Sequence, residues 1–140
     1  MGNAEILDTL LSIKSNVDSG HFKAIYEASS VALDTITDIW VNRRNSIYQA
    51  RRDKLINALP SLGLEAQCPM ASLYIWATIP PEFHSNDVEY VNTVLEEAYV
   101  SLAPGSAYGP GGKGYVRIAI STPDSKLDIA IERLTKWYSK

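Results

Sequence analysis

Among its 140 residues the sequence has one cysteine, Cys68, so no internal disulfide can form, and two histidines, His21 and His84, too far apart in sequence to read as a metal-ligand cluster. Charge of neither sign dominates. The 13 basic and 16 acidic residues are scattered and leave a net charge of −3, which offers no patch to a nucleic-acid backbone or an anionic membrane. No apolar run is long enough to span a bilayer. The stretch Met1 to Lys14 lacks the basic start of a signal peptide. The default expectation is therefore cytoplasmic residence, with no nucleic-acid, membrane or metal partner. What is present is a composition of 46% hydrophobic and 21% charged residues, enough apolar material for a folded core.

Periodicity orders the chain. Ile6, Leu7, Leu10 and Leu11 form a helical stripe, and Ser15 to Gly20 reads as a polar turn. Phe22, Ile25 and Tyr26 open a second helix to about Leu33. Trp40, Arg44, Ile47, Tyr48, Arg51, Leu55 and Leu59 predict a long third helix closed by Pro60 and Gly63. Over Ser72 to Ile79 the period becomes two, which predicts a strand stopped by Pro80 and Pro81. Asn86 and Glu89 read as a capping box for a helix with Val88, Val91, Leu95 and Ala98 on its buried stripe. A short apolar run, Tyr99 to Ala103, leads to a glycine-rich segment and then a strand, Tyr115 to Ser121. Thr122 as cap and Pro123 at the first helical position predict a last helix with Leu127, Ala130, Ile131, Leu134 and Trp137 inward. Alternating strands imply a sheet with one open face. The fold class is α+β: a small, mostly antiparallel sheet of three to four strands with helices packed mainly on one face.

Gly109, Gly111 and Gly114 match G-x-G-x-x-G, but a dinucleotide fingerprint follows a strand and opens a helix, whereas here a strand follows. A Walker loop fails too, with Ala107 at the first glycine and Gly114 where Ser or Thr should stand. By residue pattern alone the segment is a hairpin connection. In the strand beyond it, Val116, Ile118 and Ile120 share one face, which puts Arg117 on the less apolar one, beside the small Ala119. There it reads either as a surface arginine or as an anion-binding fork.

The run Pro104-Gly105-Ser106-Ala107-Tyr108-Gly109, a glycine spacer, then Gly114-Tyr115-Val116-Arg117-Ile118-Ala119 resembles the C-terminal signature of class I and II aminotransferases. Arg51-Arg52-Asp53, Pro69-Met70-Ala71-Ser72-Leu73-Tyr74-Ile75-Trp76 and Ile131-Glu132-Arg133-Leu134 are similar to the same family in the same order. The resemblance implies that residues 21–140 form the C-terminal domain and that residues 1–20 are a remnant of the large-domain or interdomain region. It implies an activity, amino transfer between an amino acid and a 2-oxo acid with pyridoxal 5'-phosphate, in a homodimer. It assigns Arg117 to the substrate carboxylate. Tyr108 falls at the aromatic position of the family's loop, and Asn16 lies in a stretch found near the partner subunit's active site; both are expected close to the active site or the dimer contact. Leu73 and Tyr74 fall where the family often has a bulky residue near substrate, although a packed strand residue also accounts for them.

One departure from the family bears on activity. Its Schiff-base lysine sits in a Ser-x-x-Lys or Ser-Lys context with an arginine and a glycine soon after, and none of Lys14, Lys23, Lys54, Lys113, Lys126, Lys136 or Lys140 has that context. The expectation is that the sequence starts, at Met1, just past the lysine loop, that no catalytic residue lies in this chain, and that the isolated chain binds no cofactor and is inactive. A free-standing binding or regulatory module with the same fold is the alternative. A related enzyme such as an aminocyclopropane-carboxylate synthase would share the arginine.

Overall fold

A computed structural model describes residues 2–140; Met1 lies outside the described residues. The chain divides into two compact units, the first ending at Val41 and the second running from Asn42 to Lys140. In the first, helix α1 (Ala4–Val17) starts where the Asn3 side chain accepts the N–H of Ile6 at 3.2 Å, with Glu5 in its first turn and Lys14 in its last, as the helix dipole favours. Ser15, Asn16 and Val17 are helical, which corrects the expected turn from Ser15. The Ser15 hydroxyl and the Asn16 amide both donate back to the Ser12 carbonyl, at 3.0 and 2.8 Å, so these turn-favouring side chains are satisfied inside the helix. The chain turns only afterwards, where the Asp18 carboxylate accepts the N–H of Gly20 at 2.7 Å. Helix α2 (Lys23–Thr35) follows, and neither α1 nor α2 contains a buried residue.

Helix α3 (Asp38–Ala58) runs into a 3-10 turn, Leu59–Leu62, that ends at Gly63, as Pro60 and Gly63 foretold. Leu55, Leu59 and Leu62 from this stretch lie in the core of the second unit. Beyond it come strand β1 (Tyr74–Thr78), helix α4 (Asp87–Ala98), the two-residue strand β2 (Ala103–Pro104), strand β3 (Tyr115–Ala119) and helix α5 (Asp124–Tyr138). The three strands form an antiparallel sheet in the order β1-β3-β2, with Trp76 opposite Arg117 and Ala103 opposite Arg117 on the other side. Ile75, Ala77, Val116 and Ile118 point into the core, under Leu55, Tyr90, Val94 and Leu134. Tyr74, Trp76, Tyr115 and Arg117 alternate onto the opposite face. Within the second unit this is the expected α+β architecture, an open sheet with α4, α5 and the end of α3 packed on one face.

Two details differ from expectation. On α4 the inward residues are Asp87, Tyr90, Val91, Val94 and Ala98, while Val88 and Leu95 are 47% and 49% exposed. The stripe is rotated because Asp87, an acid that hydrophobic periodicity cannot choose, is turned inward by hydrogen bonds described below. At α5 Pro123 itself is the N-cap residue and Thr122 stands outside it, so the start relies on Asp124 near the positive helix end. Among the described residues no helix is long and apolar enough to cross a membrane.

Candidate functional site

The glycine-rich segment is built from two 3-10 turns, Gly105–Tyr108 and Pro110–Gly112, hinged at Gly109 with φ +116°. Its two arms touch backbone to backbone. A Cβ placed on Gly105 would overlap the Gly112 carbonyl, and one on Gly112 would overlap the Gly105 carbonyl, so only glycine permits this approach. The sharp reversal delivers the chain directly into β3. It also leaves Tyr108 above the open face of the sheet, its ring edge-on to Trp76 at 5.5 Å between centroids.

Arg117 sits at the middle of the central strand, half-buried. Two rings flank its guanidinium: the central carbon is 4.1 Å from the centroid of Tyr74 and 4.5 Å from that of Tyr108. Both distances lie well inside the range of cation–π attraction. Nε is buried and has no hydrogen-bond partner among the described residues, and no described carboxylate forms an ion pair with the group. A buried donor left unpaired on a charged group is costly unless an anion completes it. The π faces of the two tyrosines repel negative charge, so an anion reaches the guanidinium along its N–H edge, where a carboxylate can be gripped by two parallel bonds. An open hollow of about 1000 Å³ runs along the same face past Tyr74, Trp76 and Tyr115. Arg117 does not line it.

A residue that sequence reasoning missed holds this arrangement. Asp87 is 2% exposed, and its carboxylate accepts the N–H of Ser106 at 2.8 Å and that of Gly114 at 3.3 Å. Burial works against its charge, yet the Ser106 hydroxyl and the N–H groups of Ser106, Gly114 and Asp87 itself outweigh burial and hold the carboxyl below its usual range. The capping box at Asn86 forms as expected, with the side chain accepting the N–H of Glu89 at 3.2 Å. Nothing in the spacing of Asp87 foretold partners 19 and 27 residues away.

Asn16 lies in the first unit, exposed on α1, with its amide on the Ser12 carbonyl. Lys14 nearby pairs with Asp18 at 2.7 Å and reaches the Tyr26 hydroxyl at 3.4 Å. These bonds, that to Asp18 foremost, raise the lysine above its usual range, and its ammonium in turn lowers Asp18. Among the described residues no group of three or more His, Cys, Asp or Glu could hold a metal.

Residues 1–134 match the family described as aminotransferase class I and II. The chain is 37% identical over 140 residues to an LL-diaminopimelate aminotransferase of Dehalococcoides mccartyi, covering all of this chain and 35% of that protein. It is 40% identical over 134 residues to one from Oleidesulfovibrio alaskensis, covering 96% of this chain and 34% of that protein. The chain thus spans about a third of the length of these relatives. Among solved structures, an aminotransferase from Staphylococcus aureus superposes with a TM-score of 0.84 at 27% identity, over 99% of this chain and 36% of that one. A probable N-succinyldiaminopimelate aminotransferase from Thermus thermophilus gives 0.81 at 31%, over 97% and 36%. With the loop and its arginine in place and the match running through nearly every residue, this chain belongs to the class I and II aminotransferase family.

Proposed function

We propose that this chain supplies the substrate-carboxylate site of a pyridoxal-phosphate-dependent aminotransferase, which transfers an amino group between an amino acid and a 2-oxo acid. The supporting observation is the Arg117 guanidinium, flanked by two aromatic rings, with a buried Nε that has no hydrogen-bond partner among the described residues. Its fork binds the α-carboxylate and fixes the angle at which the substrate's α-carbon is presented, a contribution of positioning. Likeness to LL-diaminopimelate aminotransferases at 37% and 40% identity favours an amino donor of that kind for the intact enzyme.

The lysines of this chain do not match the family's Schiff-base residue. A Schiff-base lysine must shed its proton near neutral pH, whereas the hydrogen bonds of Lys14 to Asp18 and Tyr26 shift it the opposite way, above its usual range. No lysine here has the family's sequence context. The chemistry at the α-carbon therefore belongs to the remainder of the enzyme, and the isolated chain is inactive. Residues 1–20 go with that remainder, residues 21–140 form the C-terminal domain, and two copies of the intact enzyme pair, with Asn16 near the partner's site.

The test is kinetic, in an intact enzyme carrying this segment. Arg117→Ala removes a bidentate charged contact and should lower kcat/KM for amino acids by roughly 30- to several-thousand-fold. Arg117→Lys should restore little, because an ammonium lacks the fork. Efficiency within about threefold of the parent, well under the energy of one such contact, would make Arg117 a surface arginine and overturn the reading.

A further inference from the structure

Resting on the carboxylate reading of Arg117, we propose that Asp87 is a positioning residue for that site: its carboxylate ties the two arms of the glycine-rich loop together and so sets Tyr108 against the Arg117 guanidinium. Asp87 is the one charged side chain fully buried among the described residues, and it has no cationic partner there. A buried carboxylate without a cation is a poor device for stability alone, since an apolar residue would avoid the desolvation cost. Its hydrogen bonds show where that cost is returned. The two oxygens divide between the arms: one takes the N–H of Ser106, at the start of the loop, and the other that of Gly114, at its end.

Each arm leads to the arginine. Ser106 lies in the turn that ends at Tyr108, the residue whose ring is 4.5 Å from the guanidinium. Gly114 enters β3 three residues before Arg117, and its carbonyl accepts the N–H of Ile79, at 3.1 Å, which aligns the strand with the segment after β1. Between the arms, Gly105 and Gly112 meet with no room for a side chain, so no packing contact could substitute for the carboxylate. Asparagine cannot either. A neutral amide has one accepting oxygen, and its NH2 would face one of the two N–H groups.

The experiment uses the 15N-labelled chain and reads the backbone N–H signals of Ser106 and Gly114 together with the side-chain Nε–H signal of Arg117, assigned by its loss in Arg117→Lys. In Asp87→Asn, protection of the Ser106 and Gly114 amides from exchange should fall about tenfold or more relative to core amides such as Ile75 and Val94. The Arg117 Nε–H signal should leave its ring-shifted position for that of an exposed arginine. An Arg117 signal that stays in place while the two amides lose protection overturns the proposal, and so do amides that keep theirs. If Asp87→Asn does not fold, the Gly114 amide and the Arg117 Nε–H are read instead on Ser106→Pro, which removes both Ser106 donors, the N–H and the hydroxyl, and leaves the carboxylate ionised. The Arg117 signal should again move, and an unmoved one again overturns the proposal. Neither measurement adds a carboxylate ligand. An unmoved Arg117 signal therefore defeats this proposal alone, and an Arg117→Ala enzyme of unchanged efficiency defeats only the substrate assignment.

Discussion

The ring of Tyr74 lies 4.1 Å from the guanidinium carbon of Arg117 although the two residues are not paired across the sheet: Tyr74 stands opposite Ala119, and Arg117 opposite Trp76. The contact is diagonal. Because Ala119 ends in a methyl group, nothing on that rung competes for the space over which the tyrosine leans toward the cation. Tyr74 and the loop residue Tyr108 thus restrict the guanidinium from two separate chain segments.

Tyr74→Phe should leave the site intact, since the ring and not the hydroxyl meets the cation. Tyr74→Ala should raise KM for the amino acid in the intact enzyme by about three- to tenfold, the scale of one partly desolvated cation–π contact. The two variants compared in the same assay decide the matter; equal behaviour would mean that Tyr74 serves packing alone.

Much of this site is legible in the residue pattern. The alternation at 72–79 and 115–121 puts Arg117 on the open face, and the glycine loop beside it carries the family resemblance. The diagonal pairing is not legible there, because register between β1 and β3 is set by tertiary pairing and not by either strand's own pattern. Asp87 escapes for another reason. Its partners are backbone N–H groups, which every sequence has, and the hydrophobic pattern of α4 points to Val88 and Leu95 instead. Ser15 and Asn16 mislead through composition: their side chains bond to the Ser12 carbonyl and so let α1 run on to Val17.

The close backbone contact of the loop arms predicts unequal tolerance among neighbouring glycines. Gly112→Ala would drive a methyl group into the Gly105 carbonyl, whereas a Cβ on Gly111 meets nothing within 4 Å. Gly112→Ala should cost about 2 kcal/mol or more in unfolding free energy, and Gly111→Ala should be neutral within about 0.5 kcal/mol. Parallel urea titrations of the two variants check this.

Asp87 gives the chain an acid limb. Its carboxyl is held below the ordinary range when folded, so the folded state binds fewer protons than the unfolded chain once pH drops toward the unfolded pKa of about 3.9. The stabilisation is present above that value and is lost as pH falls through the folded pKa. Asp87→Asn should therefore be less stable than the parent at pH 6, with the difference shrinking below about pH 4. Melting curves at both pH values test it; a gap that is constant with pH would show that the charge of Asp87 does not matter.

Tyr90 offers the reverse case, a polar group whose removal should help. The side chain is 0% exposed at the centre of the core, its ring edge-on to Phe83 at 5.0 Å and to Trp137 at 6.0 Å. Its hydroxyl is buried without a hydrogen-bond partner among the described residues. Burial, with Tyr138 and Glu82 nearby, pushes the phenol up, away from ionising, so the group stays a neutral, unpaired O–H. Tyr90→Phe keeps both ring contacts and deletes only that hydroxyl, whose unmet desolvation cost is ~1–3 kcal/mol. Allowing for the small void left behind, the variant should be more stable by about 1 kcal/mol, a rise in Tm of roughly 4 °C or more for a unit of this size. Tyr90→Ala, which loses the ring as well, should cost about 3–5 kcal/mol. Thermal melts of the three proteins separate the hydroxyl from the ring, and a Tyr90→Phe variant less stable than the parent by about 1 kcal/mol or more would show that the hydroxyl is bonded in solution.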